Sequence, residues 1–256
     1  MMNIYKIKPM NRIIDFAIKR LRNPNKIVKV QGSMMHLDKK DTFNLSVRKV
    51  WEPYMTKLFK KNIEVGNVVV DIGANIGYYT LIASQLSKKV YAFEPDTTNY
   101  EILLKNLELN NCKNVIPMNS AVLNNNGTMT LWLDKEDLGK HSLFIGNYTN
   151  KETITCDVID VNDIEKADIM KIDAQGSEYR IVDRMEYCPK ILFTELDPES
   201  LKNAGSSYQE YIELLKSKGF SIHIIDEIND KLVEVKEMPE KIYGAGVNLL
   251  CMKVKE

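Results

Sequence analysis

The segment Val68–Thr80, VVVDIGANIGYYT, constrains the fold more than any other stretch of this 256-residue chain. An unbroken apolar run ends in an acidic residue and a glycine, and a helical pattern begins a few residues later. A run without polar alternation reads as a strand buried on both faces. A helix that follows so closely makes a crossover, which places the next strand parallel to the first. Ile76, Tyr79, Ile82, Ala83 and Leu86 recur at helical spacing, and VYAFE at 90–94 supplies the second strand. Further runs at 114–118, 168–173, 190–196, 221–226 and 246–254 alternate with helical patterns near 97–110, 177–187 and 207–218. The helix near 97–110 is expected to start at a Thr cap. The expectation is an α/β, Rossmann-like, mostly parallel seven-stranded sheet with helices on both faces. No helical pattern separates the last two strands, so the final strand is expected to be antiparallel. The rhythm breaks at 124–160, where the Asn126-Gly127 turn signal, TMTLWL and TITCDV read as a small β excursion with a mobile loop at 134–150.

The glycine spacing limits the ligand. Counted from Gly73, the second and third glycines of a dinucleotide fingerprint would fall on Asn75 and Tyr78, and no G-K-[ST] follows. What remains is D-x-G-x-x-x-G after the first strand, with Glu94 at the end of the second. A carboxylate there can accept two hydrogen bonds from a ribose diol. A loop with fewer glycines suits a ligand without a pyrophosphate, and Asp71 could face a cationic ammonium or sulfonium group.

These residues resemble motif I of S-adenosylmethionine-dependent methyltransferases, and the finer match is to the FkbM family. DIGANIGYYT, YAFEPD, the NLELNN helix end, NSAV, KIDAQGSE, FTEL and the upstream block Trp51–Thr56 all fall in that family's order. The chain departs from the usual pattern at Gln175, where many members carry Glu, and at DVND (160–163), where a Leu-Asp pair is more typical. The resemblance implies a class I methyltransferase fold over residues 61–256, with residues 1–60 as a basic helical extension. It implies that Gly73, Ala74, Asn75 and Gly77 support the methionyl part of S-adenosylmethionine, that Asp71 helps hold its ammonium group, and that Glu94-Pro95 holds the ribose. Asn119, Ser120 and Ala121 would border the adenine, and Glu52, beside Trp51, would lie over the cofactor. It also implies O-methylation of a hydroxyl on a sugar, glycan-related or other small metabolite. The alternatives are an N- or carboxyl-directed methyltransferase and a non-catalytic cofactor-binding module.

In an open parallel sheet the chemistry lies at the carboxyl ends of the strands. Transfer to an oxygen needs a base within ~3 Å of the hydroxyl proton. Four candidates follow: Asp173, Glu178, Glu195 and His141. Each has a structural alternative. Asp173 could cap the helix near Ser177, Glu178 suits the first turn of that helix whatever the function, Glu195 could simply end its strand, and a loop histidine is inert in most proteins.

Charge and cysteine usage bound the partners. Residues 1–65 carry 15 Lys and Arg against 5 Asp and Glu, and the remainder carries the opposite excess, so the chain sums to zero. Overall neutrality argues against a DNA-coating protein. An RNA acceptor would require the basic N-terminus as its docking surface. Met10, Ile13, Ile14, Ala17 and Leu21 recur at helical spacing among the N-terminal lysines and arginines. This basic amphipathic helix either packs on the acidic body or meets anionic lipid or a phosphorylated glycan carrier. Cys112, Cys156, Cys188 and Cys251 form no CxxC pair, so no structural zinc site is expected. No membrane span or secretory signal is legible, which makes the cytoplasm the expected location.

Overall fold

The computed structural model describes residues 20–25, 27–134, 141–145, 151–238 and 246–254. A hairpin of β1 (Val28–Val30) and β2 (Ser33–Met35) comes first, followed by helices Leu45–Arg48 and Pro53–Asn62. Strands β3 (Val68–Ile72), β4 (Lys89–Phe93) and β5 (Val115–Met118) alternate with helices Tyr78–Leu86 and Thr97–Leu109. Three strands then form a separate small sheet: β6 (Ser120–Leu123), β7 (Gly127–Asp134) and β8 (Lys151–Asp160). The chain returns through β9 (Ile169–Ile172), β10 (Ile191–Leu196), β11 (Phe220–Asp226), β12 (Lys231–Glu234) and β13 (Val247–Lys253). Helices Glu178–Arg184, Pro198–Asn203 and Tyr208–Ser217 lie between them.

The central sheet runs β12-β11-β13-β10-β9-β3-β4-β5. The pairs from β10 through β9, β3 and β4 to β5 are parallel. Strand β13 inserts antiparallel between β10 and β11, as the missing helix before it implied. Among the described residues the sheet has eight strands rather than seven, because the chain folds back after Asp226 and β12 pairs with β11 as an antiparallel edge. The excursion after residue 124 is the three-stranded sheet, and β6 pairs parallel with its middle strand β8.

Two apolar layers cover the sheet. One joins Val69, Tyr79, Ile82, Val90, Leu103, Phe59 and Phe193 with hairpin residues Val28, Val30 and Met35. The other joins Val70, Ile72, Met170, Ile181, Leu192, Tyr211 and Leu249. Phe59 meets Tyr79 and Phe193 edge-on, with centroids 5.1 and 5.3 Å away, and so ties helix Pro53–Asn62 to the sheet. The described part of residues 1–60 is therefore built into the same core, and it contains a hairpin that the helical expectation did not include. Most of the basic amphipathic segment, residues 1–19 and 26, lies outside the described residues, as do 135–140 and 146–150 of the expected loop. Among the described residues no helix is long and apolar enough to cross a membrane.

Local rules fix the helix starts. Helix Thr97–Leu109 is capped by Asp96, whose side chain accepts Asn99 N–H, so the expected Thr cap is one residue too late. Ser207 and Glu210 form a capping box before Tyr208–Ser217. The hairpin is held by two asparagines one turn apart. Asn106 accepts from His36 N–H at 2.6 Å and donates to the carbonyls of His36 (3.0 Å) and Ile76 (2.8 Å). Asn110 accepts from Met34 N–H and donates to the Met34 carbonyl, at 2.8 and 2.7 Å. Asn106 is completely buried, so its loss strands three backbone groups. Asn106→Ala should lower the unfolding free energy by about 2–4 kcal/mol in urea titrations; a loss under about 1 kcal/mol would show that the hairpin docks without it.

Candidate active site

The carboxyl ends of β3, β4, β9 and β10 open into a cavity of about 430 Å³. Eleven of the fifteen residues expected at the site line it: Glu52, Gly73, Ala74, Asn75, Glu94, Pro95, Ser120, Ala121, His141, Asp173 and Glu195. Asp71, Gly77, Asn119 and Glu178 stand behind its walls.

The glycine loop forms one wall. Gly73 N–H and Ala74 N–H both donate to the Phe93 carbonyl, at 3.0 and 2.9 Å, which locks the loop to the end of β4. Gly73 has φ +76°, and a β-carbon there would lie 1.9 Å from the Asp173 carbonyl oxygen. The loops after β3 and β9 therefore touch backbone to backbone, which only glycine permits. Gly77, with φ +93°, precedes helix Tyr78–Leu86, and a β-carbon there would strike Leu103. Glu94 lies across the loop. Its Oε2 accepts Asn75 N–H at 2.7 Å and its Oε1 accepts Asp96 N–H at 2.9 Å. Burial pushes its carboxyl up to about 8 despite those two donors. Asn119 does not reach the cavity; its side chain donates to the carbonyls of Glu94 and Pro95 and fixes their backbone.

Beyond this wall the cavity has an apolar end of Phe93, Ala121, Val122, Leu131 and Leu143. Two buried hydroxyls, Ser120 Oγ and Ser177 Oγ, also line the cavity and have no hydrogen-bond partner among the described residues. Neither serine's unmet hydroxyl could be read from sequence.

The opposite wall is carboxyl and amide. Lys171, 3% exposed, is its centre. Its Nζ lies 3.3 Å from Asp173 Oδ2 and 3.6 Å from Asp71 Oδ1, and 5.2 Å from the Tyr79 ring centroid. Burial opposes its charge, but Asp173, Asp71 and Glu52 outweigh that and raise the Lys171 pKa. Asp71 is fully buried, and Thr80 Oγ1 donates to its Oδ2 at 2.6 Å. Its side chain meets Lys171 and Thr80 in the core and does not line the cavity. Period-two spacing on one strand face already made a Lys171–Asp173 pair readable.

Gln175 donates from Nε2 to Asp173 Oδ1 at 3.0 Å and to Glu195 Oε2 at 2.6 Å. The amide that departs from the family pattern therefore bridges two carboxyls that would otherwise repel each other. Burial first, then the charges of Asp173, Glu178, Asp197 and Glu52, push Glu195 well above the usual carboxylate range. Glu178 is a scaffold rather than a cavity group: its oxygens accept Ala174 N–H and Gly176 N–H, both at 2.7 Å, and burial raises it to about 7. His141 reaches the cavity, but its Nδ1 accepts Asp134 N–H at 3.1 Å. In the neutral ring that bond leaves the proton on Nε2. Glu52, Tyr79 and Asn248 complete this wall, with Tyr79 O–H and Asn248 Nδ2 both donating to the Glu52 carboxyl. Asn248, 196 residues from Glu52, gives no signal in sequence.

Two tests follow from these charges. Lys171→Met leaves Asp71 unpaired in the core and should cost about 3–5 kcal/mol in denaturant unfolding, with much of it restored in the double variant with Asp71→Asn. Equal losses in the single and double variants would remove the ion pair as the cause. Glu94, Glu52 and Glu178 are all raised above their unfolded value of 4.5. Folded protein then binds more protons than unfolded protein between about pH 5 and 8, so stability falls as pH rises through that window. The thermal midpoint should be lower at pH 8 than at pH 5.5, and Glu94→Gln should flatten the slope.

Residues 71–222 match the model of the FkbM methyltransferase domain. The chain is 39% identical over 82 residues to a tRNA(Phe) (4-demethylwyosine(37)-C(7)) aminocarboxypropyltransferase of Methanocaldococcus jannaschii, covering 30% of this chain and 33% of that protein. It is 24% identical over 149 residues to the hexuronic acid methyltransferase AglP of Haloferax volcanii, covering 55% and 62%. The chain thus spans about a third and about three-fifths of the length of these relatives. Among solved structures, M. jannaschii TYW2 in complex with AdoMet aligns over 91% of this chain and 88% of its own, at 16% identity and a TM-score of 0.48. The domain match takes in the glycine loop, Glu94, the small sheet and the Asp173–Gln175–Glu195 wall, and the chain belongs to the FkbM methyltransferase family.

Proposed function

We propose that this protein transfers the methyl group of S-adenosylmethionine to a hydroxyl of a small polyhydroxylated acceptor of the sugar or glycan-related class. The carrying observation is that one cavity has two unlike walls: a glycine loop with Glu94, and a carboxyl–amide surface of Glu52, Asp173, Gln175, Glu195 and Asn248.

The first wall fits the cofactor. Each Glu94 oxygen accepts one backbone N–H and keeps a lone pair for a ribose hydroxyl. The apolar end suits a flat base, and the unpartnered Ser120 and Ser177 hydroxyls offer polar contacts to it. The part of the cavity lined by Gly73, Ala74 and Asn75 would take the methionyl chain. Bound there, the cofactor supplies an activated methyl on a cationic sulfur. The chain's own residues then position the acceptor. Asp173, held between Lys171 and Gln175, orients the attacking hydroxyl, and Asn248 and Gln175 present amides to neighbouring hydroxyls. Glu195, raised well above the usual carboxylate range by burial, serves as a hydrogen-bonding group.

The hexuronic acid relative supports a sugar acceptor. The tRNA relative gives a second reading, because its 39% identity is the higher of the two. It also brings a second reaction, since that protein's name specifies aminocarboxypropyl transfer. Calorimetry with S-adenosylmethionine, followed by incubation of cofactor labelled either in its methyl group or in its methionyl carboxyl group with sugars, glycosides and tRNA, separates these outcomes. Wild type should bind, and Glu94→Ala should bind at least tenfold more weakly, the equivalent of about 1.4 kcal/mol of lost hydrogen bonding. Label should enter hydroxylated acceptors. Absence of binding would sink the methyltransferase reading, and label on tRNA alone would replace the acceptor class.

A further inference from the structure

Glu52 holds a backbone conformation that helix formation does not require. Its φ and ψ are 43° and 73°, the left-handed region, in a residue with a full side chain. It occupies the cap position of helix Pro53–Asn62, where a short polar side chain ordinarily accepts the first free N–H groups. It does not do so. Glu227, immediately beyond β11, does that work instead, accepting Tyr54 N–H at 3.0 Å and Met55 N–H at 2.6 Å. The strained backbone turns the Glu52 side chain into the cavity. There Tyr79 O–H donates to Oε2 at 2.8 Å and Asn248 Nδ2 donates to Oε1 at 2.5 Å. Strain and a borrowed cap together deliver one carboxyl to the acceptor wall.

The groups facing it are Tyr78 and Tyr79 from helix Tyr78–Leu86, Lys171 from β9, Asp173 just beyond, and Glu195 on β10. Burial, reinforced by Asp173, pushes Glu52 up to about 7 against the opposing hydrogen bonds and Lys171.

We infer that Glu52 is the proton acceptor of the transfer and that the charge on the cofactor sulfur decides whether it is ionised. The inference rests on the methyltransferase reading. A sulfonium in the cavity stabilises the Glu52 carboxylate by simple charge attraction. As the acceptor oxygen attacks, its bond to the methyl carbon forms and the carbon–sulfur bond breaks. That bond's electron pair passes to sulfur, which becomes a neutral thioether, and the hydroxyl proton passes to Glu52. Loss of the sulfonium charge raises the proton affinity of Glu52 at the step that needs it. Product release then returns the proton to solvent.

The coupling is measurable without the acceptor. Titration calorimetry at pH 7 in buffers of different ionisation enthalpy counts the protons released on binding S-adenosylmethionine and S-adenosylhomocysteine. A group poised at about 7 is half-protonated there, so the sulfonium ligand should release up to about half a proton more than the thioether. In Glu52→Gln that difference should vanish while the thioether binds within about threefold of wild type. Glu52→Asp, which keeps an acid, should retain a difference with its pH optimum displaced. A difference that persists in Glu52→Gln, that disappears in Asp173→Asn alone, or that is absent from a wild type binding both ligands overturns the inference. If wild type binds neither ligand, the methyltransferase reading itself fails.

Discussion

One buried ammonium organises the strand ends. Lys171 and Asp71 are register partners on β9 and β3, and Phe193 of β10 continues the same row. A carboxylate as buried as Asp71 survives there only because a cation and Thr80 meet it. The same ammonium holds Asp173 at the edge of the cavity and lies over the ring of Tyr79. Tyr79 in turn holds Glu52. Four side chains from four segments thus take their positions from one charge, and the close contact of Gly73 with the Asp173 carbonyl sets the neighbouring loop.

The acids around the cavity are not equivalent, although their side chains are chemically alike. Glu178 and Glu94 accept backbone N–H groups and hold loops in place. Glu195 shares an amide with Asp173 through Gln175. A Glu at 175 would bring a third carboxylate against those two, whereas the amide supplies a donor to each. The small sheet feeds into the same arrangement, since Ser142 Oγ donates to the Gln175 carbonyl at 2.6 Å.

The sequence was most legible where chemistry is local. The continuous apolar run of β3, the glycines at 73 and 77 and the carboxylate ending β4 each follow from short-range rules, and they locate the cofactor wall. The long-range parts were not legible. The β1–β2 hairpin is too short to show a period, and its partners Asn106 and Asn110 lie 70 and more residues away. The cap of helix Pro53–Asn62 comes from Glu227, over 170 residues on. β12 follows a tight turn stabilised by Asp226, whose side chain accepts Ile228 and Asn229 N–H, and its alternation is weak in KLVE. The proton on His141 was also beyond reach, since its backbone partner at Asp134 exists only once β7 is formed.

The asparagine pair on helix Thr97–Leu109 does more than dock a hairpin. Spaced four residues apart, Asn106 and Asn110 present donors and acceptors that match the Met34 and His36 peptide groups, as a neighbouring strand would. A two-stranded ribbon normally leaves such groups open as a template for another chain. Here a helix occupies the β2 edge with side-chain amides, so that edge of the ribbon is closed to intermolecular strand pairing without a third strand.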